Sequence, residues 1–225
     1  MATTPPTAAA KSDPDRAVAV WLGCCAAMVL VMVVLGGATR LTGSGLSMVT
    51  WRPLLGAVPP MGAAEWEALF RAYRASPEFR TVNFWMTVED FKPIFWFEYV
   101  HRMWGRAIGV VFLVPYLWFL LRRRLGRRLA LRLAGVFTLG AAQGLLGWYM
   151  VKSGLADLPE VSQYRLAAHL ALAFLIYGLL VWPMLVLLAP RPPRLASRVS
   201  RRLRRLAKWI LSWIALTVIA GALVA

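Results

Sequence analysis

Residues 17–37 read AVAVWLGCCAAMVLVMVVLGG, an apolar run without a single charge. About 20 such residues, rising 1.5 Å each as a helix, cross the ~30 Å hydrocarbon core of a bilayer. Four more apolar runs follow at 98–121, 133–151, 165–189 and 209–225. Lipid offers the backbone no hydrogen-bond partners, so runs of this kind become helices. The expected fold is all-α and polytopic: a four-helix transmembrane bundle over 17–189, with a large outer loop at 38–97. A fifth helix begins at 209 and looks cut off at Ala225, as in a fragment. Residues 1–16, polar and aperiodic, are expected to form a disordered tail, and 190–208 a basic loop. Cys24 and Cys25 are adjacent within the first run and read as small apolar residues, not as a disulfide or metal pair.

Composition agrees. Of the 225 residues 60% are hydrophobic and 16% charged, against about half and about a quarter in soluble domains. A soluble globular domain and a disordered chain are both excluded. The net charge of +16 would by itself suggest nucleic acid, but its distribution argues against such a partner. Segments 122–132 and 190–208 hold 14 Lys and Arg and no acid, whereas 38–97, 152–164 and Glu98 together hold eight of the ten acids. Basic loops stay on the cytoplasmic side. The N-terminus is then cytoplasmic, the loop at 38–97 is periplasmic, and the charge belongs to the surface of a bacterial inner membrane.

The chain has two histidines. His101 lies just inside the outer end of the second run. His169 lies four residues beyond Arg165, at the outer end of the fourth. Both sit roughly one helical turn into the membrane, on the same side. Either each is a satisfied interfacial residue, or the two form a functional pair. Ionisable groups inside a membrane favour the second reading, and neutral imidazoles on facing helices of a bundle are the usual axial ligands of haem iron. Glu98 shares a helix face with His101. It either orients the imidazole or moves a proton, or it is a helix-start carboxylate facing the dipole. Arg40, Arg102, Arg106 and Arg165 ring the same interface, where they either hold haem propionates or snorkel to lipid phosphate. Gly105 with Gly109, and Gly140 with Gly144, are small-xxx-small pairs, spaced for close helix packing first and, as the alternative, to leave room for a flat porphyrin. Gln143 is a rare polar residue in the third run. The outer loop is rich in Trp and Phe. EWEALFRAYR within it has helical apolar spacing at Trp66, Leu69, Phe70 and Tyr73, which predicts an ordered cap.

GGATRLTGSGLSMVTW, PEF, MTVEDFKPIFWFEYVHRMWGR, QGLLGWYMVKSGL and SQYRLAAHLALA occur in that order. Over roughly residues 30–180 the chain resembles the N-terminal half of the haem A synthase family, in its proteobacterial and mitochondrial form. The resemblance implies an eight-helix fold of two pseudo-symmetric halves, each with a histidine pair at its outer side. It implies oxidation of the C8 methyl of haem O to a formyl, giving haem A for cytochrome oxidase, with haem b as cofactor. His101 and His169 match the pair of the N-terminal half, which takes the substrate haem, and Glu98 matches the family's carboxylate before the first histidine. Haem b would then belong to the second half, whose histidine pair is missing here. The outer loop also lacks the cysteine pair that some bacterial members carry. Implied partners are the haem O synthase (a farnesyltransferase) and cytochrome oxidase assembly factors; a homo-oligomer stays open. The alternatives are a non-enzymatic b-type cytochrome subunit that relays electrons through a bis-histidine haem, a haem-free transporter or assembly factor, and an inactive half-protein.

Overall fold

The computed structural model describes residues 13–49, 58–155, 162–189 and 197–224. The first 12 residues of the expected tail, residues 50–57 of the outer loop, and the connections at 156–161 and 190–196 lie outside the described residues. Seven helices follow in order: α1 (Asp13–Leu41), α2 (Ala63–Arg74), α3 (Pro77–Thr81), α4 (Val88–Leu121), α5 (Arg127–Gly154), α6 (Gln163–Leu188) and α7 (Ser197–Val224). No strand occurs among the described residues. Five of the helices (α1, α4, α5, α6 and α7) are long and apolar enough to cross a membrane, and the protein is a multi-pass membrane protein.

All five long helices begin before their apolar runs, and α1 and α5 also end beyond theirs. The second run starts at 98 by hydropathy, yet α4 starts at Val88. A capping box explains this: the Thr87 side chain accepts from the Asp90 backbone N–H, while the Asp90 carboxylate accepts from the Thr87 N–H at 2.9 Å. At 34 residues α4 is about 50 Å long and outreaches the hydrocarbon core. The expected outer loop therefore contains α2, α3 and the first turns of α4, which pack together as a cap. Likewise α1 begins at Asp13, inside the expected tail, and α7 begins at Ser197, inside the expected basic loop. Polar and basic residues continue a helix once apolar neighbours have nucleated it.

Helix α1 packs against α4 and α6, and α5 packs against the same two. The four close into a ring with α1 and α5 on opposite corners. Helix α7 lies outside, against α6. The main core sits in the half of the ring away from the cap. There Val18, Trp21, Leu22, Cys25 and Val29 of α1 meet Phe112 and Phe119 of α4, Leu133 and Val136 of α5, and Ile176 and Leu180 of α6. Cys25 is buried as expected, whereas Cys24 is exposed on the outer surface of α1. A second core lies in the cap, where Phe70 and Tyr73 of α2 stack on Phe91, Ile94, Phe95 and Tyr99 of α4. The outward faces carry Val34, Val110, Val114, Trp118, Leu145, Leu175 and Trp182, all exposed, as a lipid-facing surface requires.

Helix α4 contains Pro115. Proline has no N–H, so the carbonyl four residues earlier, on Val111, loses its intrahelical donor. The Trp21 indole N–H of α1 donates to that carbonyl at 2.9 Å, and its ring packs on Phe112 and Phe119 at 5.3 and 5.5 Å between centroids. One side chain thus satisfies a helix defect and fills the core. Trp21→Phe is expected to destabilise the bundle by about 1–2 kcal/mol, read as a lower unfolding temperature in detergent. In a Pro115→Ala background, where a backbone N–H returns, the same change should cost less. An equal loss in both backgrounds would refute the pairing.

Candidate functional site

Between the two cores lies a layer in which the helices are only half buried. From Val100 to Val111 no residue of α4 is fully buried, and the same holds for α5 from Phe137 to Tyr149. Both histidines lie in this layer, His101 on α4 and His169 on α6, each partly exposed. Helices α4 and α6 each pack against α1 and α5, so both histidines belong to the same ring of four helices.

Each imidazole rests against a glycine of a different helix. A Cβ on Gly36 of α1 would stand 3.2 Å from His101 Nε2. A Cβ on Gly147 of α5 would stand 3.1 Å from His169 Cε1. The packing expected of the glycine pairs is realised at one position of four: a Cβ on Gly105 would meet Met32 Cε at 3.3 Å, while Gly109, Gly140 and Gly144 have nothing within 4 Å. Gln143 bridges α5 to α6 by donating from Nε2 to the His169 backbone carbonyl at 2.9 Å. Its Oε1 and the Nδ1 of His169 are buried without a hydrogen-bond partner. Buried polar atoms are normally satisfied. An unengaged imidazole nitrogen, in the half-buried layer that also holds His101, is the donor chemistry that haem iron takes.

Glu98 is buried and accepts four hydrogen bonds. Its Oε2 takes the Ser47 hydroxyl at 2.6 Å and the Met48 backbone N–H at 2.7 Å. Its Oε1 takes Arg102 Nε at 2.9 Å and Arg102 Nη2 in a close ion pair. Arg102 Nη2 also donates to the Met48 carbonyl at 3.2 Å. Glu98 and Arg102 are thus bound to each other and to the turn that follows α1. That turn is set by Gly43, at φ +63°. The Ser44 N–H reaches back to the Thr39 carbonyl at 2.9 Å and the Gly43 N–H to Arg40 at 3.2 Å, the hydrogen-bond pattern of a Schellman end. The chain is redirected there so that Ser47 and Met48 meet α4. Sequence reasoning missed Ser47 and Met48, which lie about fifty residues from their partner; the i,i+4 spacing of Glu98 and Arg102 was available as a signal.

The other three arginines are placed separately. Arg106 donates to Met103 Sδ at 3.3 Å. Arg165 stacks over the Tyr149 ring of α5 at 4.6 Å. Arg40 is exposed at the end of α1. In the cap, Glu78 is buried and accepts from the Tyr73 hydroxyl at 3.1 Å, while Asn83 Nδ2 donates to that hydroxyl at 2.7 Å. Burial raises the Glu78 carboxyl to about 7; the Tyr73 hydrogen bond works against the rise and repulsion from Glu98 adds to it. Burial likewise pushes the Tyr73 phenol above its ordinary range.

Residues 19–225 match the protein family described as cytochrome oxidase assembly protein. The chain is 50% identical over 209 residues to the "Heme A synthase" of Nitrosomonas eutropha, covering 92% of this chain and 59% of that protein. It is 47% identical over 223 residues to that of Nitrosospira multiformis, covering 99% and 63%. With that of Paramagnetospirillum magneticum it shares 59% over 174 residues, covering 77% and 49%. The chain therefore spans about half to three-fifths of the length of these relatives. No solved structure matches it.

Because Glu78 binds its proton more tightly folded than unfolded, the cap holds more protons than the unfolded segment between the ordinary carboxyl value of 4.5 and about 7. Its stability is full below that window and falls as pH rises through it. Hydrogen exchange of residues 63–81 should accelerate between pH 5 and pH 8 beyond the intrinsic rate, and Glu78→Gln should remove the excess. A wild-type excess that persists in Glu78→Gln would show that another group is responsible.

Proposed function

This chain belongs to the cytochrome oxidase assembly protein family, and from that premise we propose that it serves a haem A synthase, oxidising the C8 methyl of haem O to a formyl group. The observation that carries the reading is the pair of imidazoles, each set on a glycine of a neighbouring helix, in the half-buried layer between the two cores. His101 and His169 hold the iron of the substrate haem. Arg40 and Arg165, near the cap ends of α1 and α6, and Arg106, five residues beyond His101 on α4, hold its propionates, while Arg102 acts through Glu98. Oxidation of the methyl carbon builds positive charge beside the ring. Fixed donors already occupy both oxygens of the Glu98 carboxylate, so taking a proton from the reacting carbon would break one of these bonds. That supports charge stabilisation over proton removal as the role of Glu98.

Haem b, when bound, supplies the redox chemistry of the reaction. The two histidines of residues 1–225 are both assigned to the substrate, so the ligands of haem b belong to the part of the relatives' length that this chain does not span. The membrane is a bacterial inner membrane, with the basic ends of α4 and α5 in the cytoplasm and the cap in the periplasm. A haem O synthase supplies the substrate, and cytochrome oxidase assembly factors receive the product.

His101→Ala and His169→Ala are each expected to abolish haem O binding, seen as loss of the low-spin haem spectrum. A full spectrum in both variants would overturn the ligand assignment. Glu98→Gln is expected to retain haem O and to lower its conversion at least tenfold; an unaltered haem A yield would remove the proposed charge role. Extraction of pigment from membranes separates the enzyme from an electron relay: haem A or hydroxylated haem O supports the enzyme, and protohaem alone the relay.

A further inference from the structure

The geometry points to Gly36 and Gly147 as positioning residues, whose missing side chains set where the two imidazoles stand in the histidine layer. The inference rests on the haem reading above and adds to it two residues that bring no side-chain donor of their own. The two positions repeat one arrangement. Each histidine is borne by one helix of a packed pair, α4 or α6, and faced by a glycine from the other, α1 or α5. The clearances agree to a tenth of an ångström, 3.2 Å to His101 Nε2 and 3.1 Å to His169 Cε1. Ordinary carbon contacts lie at about 3.5–4.0 Å, so an added methyl forces movement of a few tenths of an ångström.

What must move decides the outcome. At Gly105 the opposing atom is the Cε of Met32, the free end of a flexible chain that yields at little cost. At Gly36 and Gly147 it is a rigid ring. Neither ring can retreat without turning about its own side-chain torsions, and an imidazole so turned would present its nitrogens in a different direction. Gln143 makes the second site stiffer, since its bond to the His169 carbonyl ties α5 and α6 together one turn from Gly147. Gly140 and Gly144, on the same helix and with open space before them, separate this role from a general need for small residues.

The test uses the purified chain in detergent, titrated with ferric haem O and read by affinity, visible spectrum and low-spin EPR g-values. Gly36→Ala and Gly147→Ala are each expected to weaken haem O binding at least tenfold or to shift the low-spin signal toward high spin. Gly140→Ala should match the parent, and Gly105→Ala should leave the g-values unchanged. Parent-like affinity and g-values in both Gly36→Ala and Gly147→Ala, with His101→Ala devoid of haem, would overturn the glycine roles and leave the haem reading standing. Haem retained in full by His101→Ala and His169→Ala would overturn both together. If Gly36→Ala fails to fold, Gly36→Ala/His101→Ala has no ring to strike. Recovery of the parent's helicity and melting temperature in that double variant supports the contact, and failure to recover overturns it.

Discussion

A buried carboxylate in a membrane protein is tolerable only when its charge is balanced and its lone pairs are occupied. Glu98 meets both conditions, through Arg102 on its own helix and through Ser47 and Met48 across the turn after α1. The consequence is positional. Binding the 42–48 turn to α4 fixes how far α1 can slide along it, and that distance decides whether Gly36 lies level with His101. A slip of one residue, 1.5 Å along the axis, would exceed the clearance that the glycine provides. The ion pair therefore works as a register pin for a site in which it is only partly a participant.

Most of the architecture was legible in the residues. Apolar length gives the five long helices, because lipid leaves the backbone no alternative. The two histidines stand out in the sequence because there are only two and their depths match. The start of α4 was also present, as the Thr87–Asp90 capping box, but hydropathy gives no weight to a polar cap beyond the bilayer. Other parts leave no local trace. Ser47 reads as an ordinary turn residue until the chain folds back on α4. Gly36 and Gly147 cannot be told from Gly140 and Gly144 by spacing, since glycine looks the same before open space and before an imidazole. The arginines share one interface in sequence, yet their partners differ: a carboxylate for Arg102, a thioether for Arg106, an aromatic face for Arg165.

The division of the core follows from the same needs. Aromatic and aliphatic side chains fill the half of the ring around Trp21 and Leu133, and the cap fills its own interior with Phe91 and Tyr73. The layer between them combines apolar side chains that pack on the main core, such as Ile108 and Leu139, with the two imidazoles, glycines and one glutamine. Packed material on both sides holds these few polar groups in place, which is the arrangement that preorganised sites require.

The ring order bears on how the chain is made. The first helix finds its neighbours in α4 and α6, not in the helices that directly follow it. During synthesis at about 5–20 residues per second, α1 waits on the order of ten to thirty seconds before α6 leaves the ribosome. Until α4 arrives, the indole of Trp21 faces lipid or the insertion machinery with its donor unpaired. The Val111 carbonyl that this donor takes lies on α4, so the rate of elongation across α2 to α4 sets how long the indole goes without it.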